Sequence, residues 1–143
     1  MKETRLDQIT KEWADQAKEK KRVEQLKIIA QEWFVAFNAK DINKLLDLYH
    51  DDAVHFSPSF KEKFPETKGI IKGKNDLRDW WQGAFDNIPG LYYEIISLDV
   101  VGDKINMQYK RTADGKEPSV VNEFLKVKKG KIVESAVESI NHK

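Results

Sequence analysis

The stretch "LYHDDAVHFSP", residues 48–58, places two histidines and two aspartates within eleven positions. Those side chains can ligate a metal or move a proton, and their spacing decides between the two. Zinc would need three or four of His50, Asp51, Asp52 and His55 to converge, with fixed support behind them. The pattern instead predicts a helix that runs out at His50–Asp52, facing solvent, and a short strand "AVHFS" stopped by Pro58. No metal is therefore expected, and the two histidines are not a pair. Strand residues two apart share a face, so Ala53, His55 and Ser57 point one way and Val54 and Phe56 the other. Two readings of His55 are open: a group that exchanges a proton, or a buried neutral histidine satisfied by its hydrogen bonds.

Further along, "SVVNEFLKV" sets Val121, Glu123, Leu125 and Val127 on one face and Val120, Asn122, Phe124 and Lys126 on the other. Apolarity alone does not choose the inward face. A carboxyl among the first set would have its pKa raised by desolvation unless paired. Arg111 continues the parity of Ile105, Met107 and Tyr109. Turned inward near Glu123 it would form a buried ion pair, costly to desolvate and suggestive of a polar ligand group. The preferred reading is a strand-end arginine that snorkels to water. Trp33, Phe37, Trp80, Trp81 and Tyr109 read first as core.

These residues need elements to position them. Residues 4–39 hold no Gly or Pro, and Leu6, Ile9, Trp13 and Ala17, then Leu26, Ile29/Ala30, Trp33 and Phe37, keep helical spacing. The polar middle "KEKKRVEQ" leaves open one long helix or two joined near residue 22. Asp41 is the predicted N-cap of a second helix with Ile42, Leu45, Leu46 and Tyr49 on its buried face. Residues 58–73 read as loop, and "NDLRDWWQGAFDNIPG" as a third helix capped by Asn75 and ended by Pro89–Gly90. Four strand-like runs follow, with turns at Gly102–Asp103, "ADGKEP" and "KKG". Helices first and an antiparallel meander afterwards imply an α+β domain with helices on one face of the sheet.

The 143 residues suit one domain, with 25 basic and 24 acidic residues nearly cancelling. No global field recruits nucleic acid or an anionic membrane, and "KVKKGK" is a solvated hairpin tip. Without cysteine there is no disulfide, thiolate site or thiol nucleophile. The start "MKETRLDQITKEW" lacks a signal-peptide core, so a soluble, cytoplasmic protein is expected. There is no glycine-rich phosphate loop and no nucleophile elbow, and no cofactor is expected.

The runs "WFVAFNAKDINKLLDLYHDDAVHFSP", "IKGKNDLRDWW" and "FLKVKKGKIVE" together resemble the SnoaL-like branch of the nuclear transport factor 2-like superfamily, over residues 24–140. The resemblance implies a cone: a curved antiparallel sheet with three helices on its concave side, of the cystatin-like kind. It makes residues 23–143 that domain and residues 1–22 an N-terminal helical extension, and it implies a homodimer through the outer face of the sheet. It does not imply one activity, because this superfamily carries isomerases, cyclases, dehydratases and non-catalytic subunits. Aligned with the steroid delta-isomerase branch, the catalytic aspartate falls at Ser57, which cannot act as that base. The oxyanion-hole tyrosine falls at Trp33, its two supporting tyrosines at Tyr49 and Trp81, and the neutral aspartate at Glu123. That chemistry is lost as such, while one carboxyl is kept in kind.

The expected function is a pocket for a small apolar or amphipathic molecule. Trp33, Phe37, Tyr49, Ser57, Trp81, Tyr109 and Arg111 would bind it, with His55 as general base and Glu123 as general acid on one cavity. Isomerase, cyclase or dehydratase chemistry would suit such a pair. The competing class is a non-catalytic binding or assembly module whose cavity is filled by its own side chains. The thin apolar stripe of the extension is too narrow to be stable alone, so it should dock on its own domain or on a partner.

Overall fold

The computed structural model describes residues 4–113 and 115–142. The uninterrupted N-terminal run forms a single helix, α1, Arg5–Asn38. Thr4 starts it with a capping box, accepting from the Asp7 amide while the Asp7 carboxylate accepts from the Thr4 amide. The boundary near residue 22 therefore falls inside one helix. No residue of α1 is buried before Leu26, and Leu6 and Trp13 are 71% and 68% exposed. The stripe does not dock on its own domain. From Leu26 onward the buried positions Leu26, Ala30, Trp33 and Phe37 repeat at helical spacing and lie against the sheet.

Asp41 caps α2, Ile42–Asp47, by accepting from the Lys44 amide. This helix ends sooner than predicted, because the Leu48 carbonyl is taken by the Ile132 amide at 2.8 Å. The chain is drawn into β1, Tyr49–Phe56, and His50–Asp52 are exposed strand residues rather than a helix end. The predicted loop is more ordered than its prolines and glycines suggest. It holds α3 (Pro58–Lys63), a 3-10 turn (Pro65–Thr67) and β2 (Ile70–Lys72). Pro58 suits the first turn of α3, where an amide would have no partner. The next helix, α4, spans Lys74–Asn87 and starts without a side-chain cap. Gly73, at φ +83°, occupies the N-cap position instead of Asn75, with its amide bonded to Ala53 on β1.

Strands β3 (Tyr92–Val101), β4 (Lys104–Thr112), β5 (Ser119–Lys128) and β6 (Lys131–His142) form the antiparallel meander. The six strands make one open sheet, ordered β2-β1-β6-β5-β4-β3. It is mixed rather than wholly antiparallel, since β1 runs parallel to β6. Parallel neighbours need a long crossover, and everything between β1 and β6 supplies it. Bulges at Ile96 on β3 and at Val133 and Glu138 on β6 add the local twist that curves the sheet. Among the described residues four α-helices rather than three accompany it, the fourth being α3. Among the described residues, no helix is long and apolar enough to cross a membrane.

Candidate functional site

Between the inner face of the sheet, the second half of α1, α3 and α4 lies a cavity of about 700 Å3. Small-molecule sites run from about 300 to about 1,000 Å3, so the space is of ligand size. Of the residues expected to form a site, Trp33, Phe37, His55, Ser57, Trp81, Tyr109, Arg111 and Glu123 line it. Tyr49 does not. It is buried outside the cavity lining, with its hydroxyl held between the Trp33 indole N–H and Ser135 Oγ, each at 3.1 Å. Its role is to support the wall.

Glu123 reaches the cavity because β5 alternates strictly, with Ser119, Val121, Glu123, Leu125 and Val127 all buried. The bulge at Glu138 sits beside it in the ladder, where Glu123 pairs with Val137. The carboxyl is 2% exposed. Oε1 accepts a 2.7 Å hydrogen bond from the Tyr109 hydroxyl. Oε2 has no partner and is the one buried side-chain N or O atom among the described residues left so. Burial pushes the pKa up to about 7, against the Tyr109 hydrogen bond, which lowers it. Burial also raises Tyr109 well above its ordinary value, so its hydroxyl stays a donor.

His55 is 4% exposed and lies two strands away, on β1. Its Nδ1 stands 2.7 Å from Ser135 Oγ and 4.0 Å from Glu123 Oε2. Desolvation drives its pKa down to about 4, opposed by the Ser135 backbone. At neutral pH the ring is uncharged, and 4.0 Å is too long for a hydrogen bond, so the two residues are neighbours without being an ion pair. The pairing is a neutral imidazole beside a carboxyl that titrates near pH 7.

Aromatic and aliphatic side chains make up much of the remaining wall, and Lys63, Glu66, Asp76 and Asp79 also line it. Phe37 stacks on Tyr93 at 4.1 Å, and Tyr93 on Tyr109 at 4.3 Å. Trp81 tilts against both His55 and Tyr49. Arg111 is half-buried and lines the cavity rather than snorkelling away. It acts on the half-buried Tyr93, whose pKa burial raises to about 12 while the Arg111 charge and hydrogen bond pull it down. It forms no ion pair with Glu123. Ser57 closes the strand end by capping α3, accepting from the Phe60 amide at 3.3 Å.

Tyr93 and Ser135 belong to the site and escaped sequence reasoning. Tyr93 sits in the run "YYEII", which has no alternation to read. Ser135 is three residues from Ile132, yet both are buried because the Val133 bulge resets the parity of β6. His50 does not join His55. Its Nδ1 accepts from the Asp52 amide at 3.0 Å on the exposed side, and Asp51 lies 3.4 Å from Lys74. Among the described residues no three His, Asp or Glu side chains are grouped to hold a metal.

A family model described as SnoaL-like domain matches residues 30–135. The chain is similar to a SnoaL-like protein of unknown function from Burkholderia thailandensis, with 24% identity over 80% of this chain and 93% of that one and a TM-score of 0.73. It is also similar to an uncharacterised cystatin-fold protein from Novosphingobium aromaticivorans, with 23% identity, 80% and 97% coverage and a TM-score of 0.66. A candidate polyketide cyclase from Sinorhizobium meliloti is 20% identical, at 77% and 93% coverage, with a TM-score of 0.66. At these identities the likeness is one of fold. No curated protein matches the chain.

Proposed function

Because the chain belongs to the SnoaL-like domain family, we propose that its cavity binds a largely apolar small molecule bearing a carbonyl group and exchanges a proton with it. The observation that carries this reading is Glu123: a buried acid on the cavity wall, with one oxygen unpartnered and a pKa of about 7. A group poised near the working pH both gives and takes a proton effectively. As a carboxylate, Glu123 would take a proton from the carbon beside the carbonyl, leaving an enolate and a neutral acid. Returning that proton to the same skeleton at another carbon is an isomerisation, and quenching an enolate after ring closure is a cyclisation step. His55, with a pKa of about 4, is too weakly basic for this at neutral pH. The proton-exchanging role therefore passes from His55 to Glu123. The mutually stacked rings of Phe37, Tyr93 and Tyr109 make a rigid apolar stretch of wall that favours a ligand with an apolar ring skeleton. The open volume, with Trp33 and Trp81 as walls rather than plugs, speaks for a ligand site over a side-chain-filled assembly module.

The test is a panel of planar cyclic ketones and quinones titrated against tryptophan fluorescence, with binders then followed by NMR in D2O for exchange beside the carbonyl. At least one ketone should bind, and its exchange should be accelerated by the protein but not by Glu123→Gln. No binding across the panel would contradict the ligand class. Binding with exchange that is unchanged in Glu123→Gln would make the protein a binding module.

A further inference from the structure

We infer that a buried hydrogen-bond chain, Trp33 to Tyr49 to Ser135 to His55, locks the His55 ring as its Nε2–H tautomer and makes it a fixed hydrogen-bond donor to an acceptor oxygen of the ligand. The assignment follows from counting donors. The Trp33 indole N–H can only donate, so Tyr49 Oη accepts from it at 3.1 Å. The Tyr49 hydroxyl proton must then go elsewhere. Tyr49 is 1% exposed, and the acceptor within reach is Ser135 Oγ at 3.1 Å. Ser135 is itself fully buried, and its own proton is directed at His55 Nδ1, 2.7 Å away.

Reversing the chain fails at its first link. If His55 Nδ1–H donated to Ser135, one hydroxyl proton would lack an acceptor: that of Tyr49, facing the indole N–H, if Ser135 donated to it, or that of Ser135 if its oxygen accepted from both neighbours. A buried donor without an acceptor is the arrangement that proteins avoid. Nδ1 is therefore the acceptor, and the proton of the neutral ring sits on Nε2. Among the described residues that nitrogen makes no hydrogen bond of ordinary geometry, the Ser135 backbone acting on the ring only as an influence weaker than desolvation, and it is not among the sealed, unpaired atoms, so it opens onto the cavity that His55 lines. A fixed donor there selects a ligand oxygen that carries no proton of its own, such as a ketone, quinone or ester carbonyl. Trp33, Tyr49 and Ser135 are positioning residues that act through His55. The ligand part of this inference rests on the proposed function above, but the tautomer does not.

The experiment is a long-range proton–nitrogen correlation on the full chain, labelled with 15N at histidine and recorded without ligand at neutral pH. His55→Gln identifies the His55 signals. Nδ1 should appear as an unprotonated acceptor and Nε2 as protonated, in one tautomer. Tyr49→Phe and Ser135→Ala should each release a mixture of tautomers. A wild-type ring protonated on Nδ1, or a mixture in the wild type, overturns the inference even if neither variant folds. With a ketone that binds, His55→Phe should weaken affinity about tenfold, the worth of one buried hydrogen bond. The analogue with a methylene in place of the carbonyl should lose nothing. Equal losses for both would overturn the donor role. Failure of every ligand to bind, with the tautomer as stated, would sink the proposed function alone.

Discussion

Glu123→Gln should convert a stability profile that is nearly flat between pH 4.5 and 6.5 into one that climbs with pH. In the folded protein Glu123 titrates at about 7 against an ordinary 4.5. As pH rises, the unfolded chain ionises first, so the stability supplied by the neutral acid is complete below pH 4.5 and is lost by about pH 7. At about 1.4 kcal/mol per pH unit, that gap is worth about 3 kcal/mol. His55 works in the opposite sense, titrating at about 4 against an ordinary 6.5. Its contribution is complete above pH 6.5 and is lost as pH falls to about 4, again about 3 kcal/mol. Both groups are almost wholly out of solvent, so screening does not reduce these figures. Where the two windows overlap, the slopes cancel. With glutamine in place, the His55 slope stands alone, and stability should rise by about 2–3 kcal/mol from pH 4.5 to 6.5. Urea unfolding followed by tryptophan fluorescence at a series of pH values measures this. Subtracting the variant's curve from the wild type's removes the surface carboxylates that they share. The difference should fall by about 3 kcal/mol between pH 4.5 and 7. A difference that does not vary with pH would show that Glu123 ionises as it would in water and would refute the reasoning.

Three other outcomes are expected. Gly69→Ala should destabilise the domain by about 2 kcal/mol or more; Gly69 has φ +83°, and a Cβ there would lie 2.6 Å from a Phe56 ring carbon. An unchanged urea midpoint would contradict this. Asn38→Ala should cost about 1–3 kcal/mol and speed amide exchange at Tyr93, since Asn38 binds both the Tyr93 N–H and C=O at 2.8 Å. Slow exchange at Tyr93 in the variant would show that this contact is not what pins α1 to β3. Deleting residues 2–20 should leave the melting temperature unchanged, because α1 buries nothing before Leu26, and should lower the mass seen in sedimentation if Leu6, Ile9 and Trp13 seat against a second copy. An unchanged mass would show that the stripe is not an association face.

Much of the site was legible because it lies on strands whose alternation is unbroken. His55 and Ser57 share a parity on β1, Glu123 lies on the buried parity of β5, and all three are found at the cavity. Legibility stopped where a bulge intervened. Ser135 breaks simple alternation on β6, so nothing local marked it as the partner of His55. Tyr49 was misplaced for a different reason: resemblance maps a position, while the hydrogen bonds around it decide whether the side chain faces ligand or protein. The parallel pairing of β1 with β6 had no local signal either, being a contact between segments far apart in sequence. The early end of α2 follows from that same pairing, since β6 captures the Leu48 carbonyl.

The central claim is that Glu123 is a buried carboxylic acid, titrating near neutrality and facing ligand. Infrared difference spectroscopy on protein labelled with 13C at the glutamate side-chain carboxyl reads this directly. A carboxylic acid C=O band, absent in Glu123→Gln, should persist at pH 6, vanish with a midpoint near 7 and shift when a carbonyl ligand binds. A band that disappears near the ordinary glutamate value of 4.5, or that is indifferent to every ligand bound in the cavity, would contradict it.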